Sequence, residues 1–548
     1  MLGLDSFVAT LLGGVSLLLV LRRLRSSRPS LTPKSVALVV LGDIGRSPRM
    51  LYHATSLASN GYTTHIVAYR GSPPPDALAQ DPHVRFTYLA PPAPWVSALP
   101  RPLFVLLLPL KVLAGAWALL RALVAIPVAP AFLFVQNPPA IPTLAVVKLV
   151  ALARGSRVVI DWHNTGYSVL ALRLGARHPV VRLAKFLELL FGRTAYAHLC
   201  VSDAMKAHLV QDAKLRGRVV TFHDRPPASF RRQTEQEAHE LFLRLPALST
   251  LSFPPSVLPR PLAHPPGTDP ASRSTLFTTA SGHPAAPRPA LLVSSTSWTL
   301  DEDFGVLVEA LELYDRAARA LARSRSSSAS ASPADAEGTD LPRLGALRTD
   351  STGTHRPREV PPLVVLVTGR GARRAAFEQE VERREKARWE WVRCRTGWVE
   401  RGDYPRLLGS ADLGVSLHTS TSGIDLPMKV VDMFGCGLPV VALEFPCIGE
   451  LVQDGVNGRT FRTAEDLADR LITLLQAHPQ PFPSDLDVLR AGIPEATYGG
   501  RGGGGGGAER QGQGLGEGEG EGGGARETAR WGSWEDSWDR VVRPLLAP

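Results

Sequence analysis

SVALVVLGDIGRSPRM, residues 35–50, reads as a complete strand–turn–helix unit. The apolar run Ser35–Leu41 stops at Gly42, and from Pro48 to Asn60 the apolar residues follow helical spacing. A continuous apolar run is typical of a strand buried on both faces, as in parallel sheets covered by helices. The segment therefore predicts one strand and its following helix in a doubly wound sheet.

The same alternation recurs along the rest of the chain. Further runs that we predict as strands are Thr64–Tyr69, Phe132–Gln136, Arg157–Asp161, Leu199–Ser202, Val219–Phe222, Leu291–Ser295, Leu363–Thr368, Ala411–Leu417 and Pro439–Leu443. Helical segments separate these runs, which predicts parallel sheets. We expect an α/β fold with two doubly wound Rossmann-like domains, residues 35–232 and 289–480, facing a cleft. A ligand in such sheets binds at the carboxyl ends of the strands.

Three biased segments interrupt this pattern. Residues 245–288 are rich in Pro, Ser, Thr and Ala, residues 323–361 are rich in Ser and Ala, and residues 499–526 are mostly Gly. We predict all three as disordered insertions, because they show little apolar periodicity. Apolar spacing returns at 528–546, which we predict as a terminal helix that packs back on the domains.

Composition excludes some functional classes. Four cysteines among 548 residues, with no close metal-type spacing, exclude a disulfide scaffold and a Cys-rich zinc site. A net charge of +10 is compatible with nucleic acid, a membrane face or phosphorylated substrates as partners. No aromatic–basic patch or known module supports nucleic acid, so we expect no nucleic-acid partner.

Two apolar segments point to a membrane. Residues 1–24 contain the uncharged run Phe7–Leu21, followed at once by a cluster of arginines, which predicts a single-pass anchor with the following domains in the cytosol. The second segment, Leu103–Val135, is broken by Lys111 and Arg121, which disfavour a second span. A helix lying on the membrane and an ordinary core helix followed by a strand both remain open for it.

Two motifs of the first domain carry candidate chemistry. In GDIGRSPRM, Gly42 and Gly45 permit a tight turn before a helix N-terminus, and Arg46 and Arg49 add positive charge, which suits a diphosphate; a plain turn is the alternative. In IDWHNTG, Asp161 and His163 follow a predicted strand and could transfer protons, although a loop network of satisfied hydrogen bonds is nearly as good an explanation.

Two further motifs follow in the second domain. Ser295 and Thr296 stand at the turn after its first strand, where hydroxyl groups suit phosphate oxygens. The longest motif runs from His418 to Gly458. There, Ser422, Gly423 and Lys429 are candidates for a nucleotide diphosphate and Asp432 for ribose hydroxyls, with Glu450 in the same donor-binding set.

Together these motifs resemble the chitobiosyldiphosphodolichol β-mannosyltransferase family, a branch of the two-domain GT-B glycosyltransferases. The segments that carry the resemblance are GDIGRSPRM, FVQNPPAIP, VIDWHNTGYS, SSTSWTLDEDF and GSADLGVSLHTSTSGIDLPMKVVDMFGCGLPV. The resemblance implies transfer of mannose from GDP-mannose to GlcNAc2-diphosphodolichol, with inversion to a β-1,4 linkage, at the cytosolic face of the endoplasmic reticulum membrane. It also makes other lipid-linked oligosaccharide mannosyltransferases candidate partners.

A one-step inversion needs a base and stabilisation of the departing GDP. The candidate bases are Asp161 and His163, with Asp43 behind them, and Lys429 would stabilise the leaving group. We expect no tightly bound cofactor and no essential metal, and at most stimulation by a divalent cation. The glutamate pair of related retaining enzymes is missing here. Alternatives are another nucleotide sugar or lipid acceptor, or an inactive membrane scaffold.

Overall fold

The computed structural model describes residues 32–90, 101–249, 251–258, 274–298, 302–330, 359–420, 422–476, 484–493 and 533–547. The anchor predicted at 1–24 and the Gly-rich segment predicted at 499–526 lie outside these ranges.

Thirteen strands in the described residues form two sheets. They are β1 (Thr32–Asp43), β2 (Thr63–Tyr69), β3 (Val84–Leu89), β4 (Pro130–Asn137), β5 (Arg157–Trp162), β6 (Thr194–Cys200), β7 (Arg216–Thr221), β8 (Ala290–Ser295), β9 (Leu363–Thr368), β10 (Val392–Gly397), β11 (Leu413–Ser416), β12 (Val440–Leu443) and β13 (Gly458–Phe461).

Helices connect and cover these strands. They are α1 (Pro48–Ser59), α2 (Asp76–Ala79), α3 (Arg101–Ala125), α4 (Thr143–Arg154), α5 (Gly166–Leu174), α6 (Pro179–Gly192), α7 (Asp203–Gln211), α8 (Glu235–Arg244), α9 (Pro246–Ser249), α10 (Phe304–Ser330), α11 (Arg374–Ala387), α12 (Asp403–Ser410), α13 (Met428–Gly435), α14 (Ala464–Leu475), α15 (Asp485–Ala491), α16 (Trp534–Val541) and α17 (Arg543–Leu546).

Both sheets are parallel and share one winding pattern. The first has the order β3-β2-β1-β4-β5-β6-β7 and the second β10-β9-β8-β11-β12-β13. The order reverses between β1 and β4 in the first sheet and between β8 and β11 in the second. At such a switch point the connections leave in opposite directions and open a crevice at the carboxyl edge, where ligands bind in this class of fold.

Alternation along β1 shows how the first sheet is buried on both sides. Val36, Leu38 and Val40 pack against the core that contains α1, while Ala37 and Val39 face the core on the α3 and α4 side. Successive side chains of a strand point to opposite faces, so a strand covered twice must be apolar throughout. The continuous apolar runs in the sequence therefore indicated the correct sheet class.

The end of the chain packs against the N-terminal lobe, which we define as the first sheet with its helices. Trp534 and Trp538 are buried with Ile44, Leu57 and Phe134 in one core. The hydroxyl of Tyr62 donates to the carbonyl of Leu546 at 3.2 Å. Two short helices, α16 and α17, stand where the sequence predicted one.

Part of the segment 245–288, which we predicted as a disordered insertion, is folded into the protein. Leu251, Leu258 and Phe277 are among its residues buried in a core of the C-terminal lobe, the second sheet with its helices. Residues 259–273 of this insertion lie outside the described ranges. These apolar side chains pack against one face of the sheet without forming a long helix or strand. Their spacing along the chain is therefore irregular, and a search for helical or strand periodicity in the sequence does not detect them.

Two other segments also differ in their bounds from the sequence predictions. Helix α10 continues to Ser330, into the segment 323–361 predicted as disordered, of which residues 331–358 are not described. The apolar segment from Leu103 forms α3 and then β4. Within the described residues, Leu107–Ala125 is the one helix long and apolar enough to span a membrane. It packs Leu119 and Leu123 into the core and exposes Leu110 and Leu113.

Candidate active site

A buried ion cluster underlies the carboxyl edge of the N-terminal lobe. The Arg49 guanidinium donates to both carboxylate oxygens of Asp161 at 2.9 Å, and its remaining terminal nitrogen donates to Asp224 at 2.8 Å. Arg49 is 1% exposed and Asp161 is fully buried. A bidentate pair of this kind compensates two charges removed from water, because it satisfies their hydrogen-bonding groups as well as their charges.

This cluster corrects two predicted roles. Arg49 was predicted to bind a diphosphate, but its guanidinium is buried and already held by two carboxylates. Asp161 was a candidate base. Burial alone would raise the pKa of its carboxyl, but the charge of Arg49 and hydrogen bonds from two histidines hold that pKa well below its usual range. Such a carboxylate is a poor proton acceptor and is better suited to position its neighbours.

His163 is the candidate base that the structure leaves accessible. Its Nε2 lies 2.8 Å from Oδ2 of Asp161, and about a quarter of the side chain is exposed at the carboxyl end of β5. An imidazole that is oriented by a buried carboxylate can accept a proton on its other nitrogen, since the carboxylate stabilises the imidazolium that forms.

A second histidine lies behind Asp161. The Nε2 of His53 is 3.4 Å from Oδ2 of Asp161, and its Nδ1 accepts a hydrogen bond of 3.0 Å from the Trp538 indole. Burial lowers the pKa of His53 to about 4, so this ring is neutral at physiological pH. Because Nδ1 accepts, the proton must be on Nε2, which faces Asp161. The terminal helix α16 thereby fixes the tautomer next to the candidate base.

We expect Trp538→Phe to lower the free energy of unfolding by about 1–3 kcal/mol, because it leaves the buried Nδ1 of His53 without a donor. Urea titration of the full-length protein in detergent measures the change. Trp398→Phe is a suitable control, since Trp398 is 54% exposed. Equal stability of the two variants would show that the indole N–H has no structural role.

The turn after β1 holds Asp43 in place. Its Oδ1 accepts the amide of Gly45 at 3.0 Å, and both of its oxygens accept the amide of Ser72. These contacts make Asp43 a structural part of the turn and favour that role over the predicted one of a reserve base. A Cβ on Gly45 would lie 2.2 Å from the Ser72 carbonyl oxygen, so only glycine fits there.

Other residues of the same turn face outward. The side chain of Arg46 is 81% exposed, so it can reach an anion at this edge. Gly42 has no comparably close neighbour. Binding of an acceptor diphosphate by Gly42, Gly45 and Arg46 remains a prediction.

Lys429 stands at the start of α13 in the C-terminal lobe. Its Nζ lies 2.6 Å from Oε1 of Glu302, which is 2% exposed. Pro427 provides no side-chain cap for the helix, so the first-turn amides and the ammonium present positive charge at one place. The sequence motif indicated the lysine but not its buried carboxylate partner.

The hydroxyl groups after β8 have protein partners. Thr296 donates to Glu302, and its Oγ1 accepts the amide of Trp298 at 2.7 Å. Ser295 accepts from the Tyr404 hydroxyl at 3.0 Å. Both residues are buried. These contacts favour a supporting role for Ser295 and Thr296, in place of the direct phosphate contacts predicted from the sequence.

The loop before α13 crosses to the other lobe. Asp425 accepts from the hydroxyls of Ser420 and Ser422, and its Oδ1 also accepts the side-chain amide of Asn164 at 3.2 Å. Burial raises the pKa of Asp425, but hydrogen bonds from His418 and the serines outweigh it and the net pKa is lowered. Asn164 follows His163 directly, so this contact brings the candidate base beside the Ser422–Gly423 loop.

Asp432 lies one turn along α13 from Lys429 and faces the N-terminal lobe. Burial, and next the charge of Asp224, raise the pKa of its carboxyl well above the usual range, while Tyr404 opposes the shift through a hydrogen bond. A carboxyl held near another carboxylate in a crevice can both donate and accept hydrogen bonds. Its predicted contact with ribose hydroxyls remains untested.

Glu450 joins the lobes directly. Its oxygens accept the amides of Asp203 and Ala204, at the N-terminus of α7, at 2.7 and 2.8 Å, and His223 approaches at 3.4 Å. Both oxygens therefore contact the N-terminal lobe, which favours a role in joining the lobes, and donor binding by Glu450 stays a prediction. Asp203, His223 and Glu450 also have ligand atoms within 4.8 Å of one another, but helix capping already accounts for the glutamate.

Comparison with known proteins identifies the family. The family described as "Glycosyl transferases group 1" matches residues 354–477. The chitobiosyldiphosphodolichol beta-mannosyltransferase of Mus musculus is 36% identical over 543 residues, 99% of this chain and 95% of the mouse protein. The chain belongs to the chitobiosyldiphosphodolichol β-mannosyltransferase family. The human relative is 38% identical and covers 82% of this chain and 86% of its own length. The UDP-glycosyltransferase TURAN of Arabidopsis thaliana is also 38% identical, over 93% of this chain and 96% of its own length.

Solved structures agree on the fold of this β-mannosyltransferase family member. Sucrose-phosphate synthase from Thermosynechococcus elongatus matches with a TM-score of 0.50 and 14% identity, over 84% of this chain and 93% of that one. A trehalose-phosphate synthase from Burkholderia vietnamiensis matches with a TM-score of 0.50 and 12% identity, over 85% and 95%. The protein is a GT-B glycosyltransferase, as the two facing sheets predicted.

Proposed function

We propose that this protein transfers mannose from GDP-mannose to the 4-hydroxyl of GlcNAc2-diphosphodolichol, with inversion to a β-1,4 linkage. The observation that carries the proposal is the hydrogen bond of 3.2 Å from Asn164 to Asp425 across the crevice. It puts His163, on one lobe, next to the loop that leads to Lys429 on the other. The names of the mammalian relatives support a dolichol-linked acceptor and a β-mannosyl product.

Lys429 binds the donor diphosphate in this proposal. Its ammonium contacts Glu302 and stands beside the uncapped N-terminus of α13. Charge that develops on departing GDP is stabilised best by groups that are already in place, since they need no reorganisation. Glu302 holds the lysine ready, and Ser422 with Gly423 completes the binding loop.

His163 acts as the base in the same step. As the acceptor oxygen forms its bond to the anomeric carbon, the bond from that carbon to the phosphate oxygen breaks. The acceptor proton passes to the exposed imidazole nitrogen. Asp161 is a positioning residue that stabilises the imidazolium, and Arg49 holds Asp161 ionised. Arg46 is well placed to bind the acceptor diphosphate.

The proposal includes neither a tightly bound cofactor nor a resident metal, because Lys429 and the helix N-terminus supply positive charge at the leaving group. A divalent cation would act only as a stimulant. Transfer that persists in EDTA at a substantial fraction of the rate with Mg²⁺ supports this part, and its complete loss would overturn it.

A UDP-sugar is the second candidate donor, since one relative is named a UDP-glycosyltransferase. Purified full-length protein, a short-chain GlcNAc2-diphospholipid and either GDP-mannose or UDP-glucose distinguish the two. We expect transfer only with GDP-mannose, inhibition by GDP rather than UDP, and release of the new sugar by β-mannosidase. Transfer from UDP-glucose would replace the donor assignment, and inactivity with both would favour a scaffold role.

The cellular setting belongs to the proposal too. With an acceptor of this chemistry we expect the protein on the cytosolic face of the endoplasmic reticulum membrane, tethered by the anchor predicted at residues 1–24, with other lipid-linked oligosaccharide mannosyltransferases as partners. Tagged full-length protein should fractionate with endoplasmic reticulum membranes and remain accessible to protease from the cytosolic side.

A further inference from the structure

Helix α5 exposes several apolar side chains. Within Gly166–Leu174 no residue is buried, and Val169, Leu172 and Leu174 are 41%, 56% and 43% exposed. Single exposed apolar residues are normal on soluble proteins, but a helix with three exposed apolar side chains and no fully buried residue indicates an external partner.

Helix α6 presents a second row beside it. Leu183, Phe186 and Leu190 are 56%, 61% and 53% exposed and share one face of the helix by their spacing. On its other side α6 buries Glu188, which accepts the amides of Gly166 and Tyr167 at 2.9 and 3.0 Å. This carboxylate fixes α6 to the start of α5, three residues after His163.

The exposed charged side chains of α5, α6 and the loop between them are all positive. Arg173, Arg177, Arg182 and Lys185 are all exposed. Glu188 is the one acidic residue between 166 and 193, and it is buried. Apolar rows flanked by cations, without an exposed acid, are the composition of helices that lie in the interface of anionic membranes.

The surface continues onto two neighbouring helices. Helix α4 packs against both α6 and α3, and it exposes Leu149 and Leu152, the latter at 85%. Helix α3 adds Leu110, Leu113 and Trp117. We call the outer surfaces of α3, α4, α5 and α6 the apolar face.

We propose that the apolar face docks on an anionic lipid bilayer, with α5 and α6 inserted at headgroup depth. Because α5 begins directly after the His163 loop, docking sets the mouth of the crevice at the membrane surface. This contact is separate from the anchor predicted at 1–24 and does not depend on which sugar is transferred. Cationic charge around the apolar rows favours a bilayer over a second copy of the same cationic face.

A fluorescent probe on α6 tests this contact in the full-length protein. Phe186→Cys can be labelled selectively with an environment-sensitive dye, because the four native cysteines are buried. Lys386→Cys, on the C-terminal lobe, is the matched control. In vesicles of phosphatidylcholine and phosphatidylserine that carry doxyl-labelled lipids, we expect loss of most of the fluorescence at position 186 and little at 386.

A second experiment tests whether docking depends on charge. Replacing both Arg182 and Lys185 by glutamine should reduce quenching of the position-186 probe, as should vesicles of phosphatidylcholine alone. Quenching no greater at 186 than at 386 would overturn docking, and quenching unchanged by vesicle charge would overturn the anionic preference. A concentration-dependent spectral shift in lipid-free detergent would instead assign the face to self-association. Transfer to a short-chain acceptor in detergent is assayed in parallel, so failure of docking and failure of the proposed function are distinguishable.

Discussion

Lys429→Met lowers turnover by about 10²-fold or more and raises the KM for the donor, if the ammonium stabilises the leaving diphosphate. Methionine keeps most of the aliphatic stem and removes the charge. Steady-state kinetics with GDP-mannose and a short-chain acceptor measure both constants. Lys386→Met is the matched control, since Lys386 is an exposed lysine of the same lobe. We expect that control to keep wild-type kinetics.

The Glu302 contact offers a sharper comparison. Removal of the ammonium leaves a carboxylate that is 2% exposed without its partner at 2.6 Å, and that alone could disturb the loop. The double variant Lys429→Met with Glu302→Gln removes the leftover charge. If Lys429 acts on the donor, the double variant stays slow. Restored turnover would show that the lysine only neutralises Glu302 and would refute the donor assignment.

His163→Gln should lower kcat by about 10²–10⁴-fold with little change in the donor KM, as expected when a general base is lost. Glutamine can still donate to Asp161, so the buried cluster keeps a partner at this position. His83→Gln is the control, because His83 is exposed just before β3, at the opposite edge of the sheet. When both variants are assayed under the same conditions, His83→Gln should keep the wild-type kcat.

The outcome that would refute the base is near-wild-type turnover in His163→Gln. A fall in kcat together with loss of thermal stability would instead indicate a structural role, so melting curves accompany the kinetics. Trp538→Phe tests the role of His53 behind Asp161. If His53 positions Asp161, that variant should lower kcat as well as the free energy of unfolding.

The sequence patterns predicted the strands and sheets better than they predicted which side chains contact one another. Apolar runs such as Leu363–Thr368 are buried along their whole length, which is why their strands and the GT-B class could be read directly. The motif around His163 follows β5, and the contact of Asn164 with Asp425 brings it beside the loop that leads to Lys429. The place of the His163 motif could be read from the sequence because the carboxyl end of a parallel strand is a fixed place in this fold, while the roles of both motifs stay predictions.

The sequence could not show which charged side chains form ion pairs with one another. Arg49 and Asp161 are 112 residues apart in the chain. Nothing local distinguishes an arginine that will be buried beside a carboxylate from one that will face solvent, as Arg46 does. Glu450 likewise sits in a donor-lobe motif but contacts the opposite lobe. These partners are set by how the elements pack, which a single sequence does not encode at short range.

The indole of Trp538 touches His53 from the far end of the chain, and this has a consequence for biosynthesis. The ribosome makes His53 485 residues before Trp538, so the first sheet emerges long before α16 and α17. Until α16 has emerged, Phe134, Phe222 and the Arg49 cluster lack the cover of Trp534 and Trp538. We therefore expect nascent chains to depend on chaperones until α16 has emerged, and nonsense mutations within α16 to be as damaging as much earlier ones.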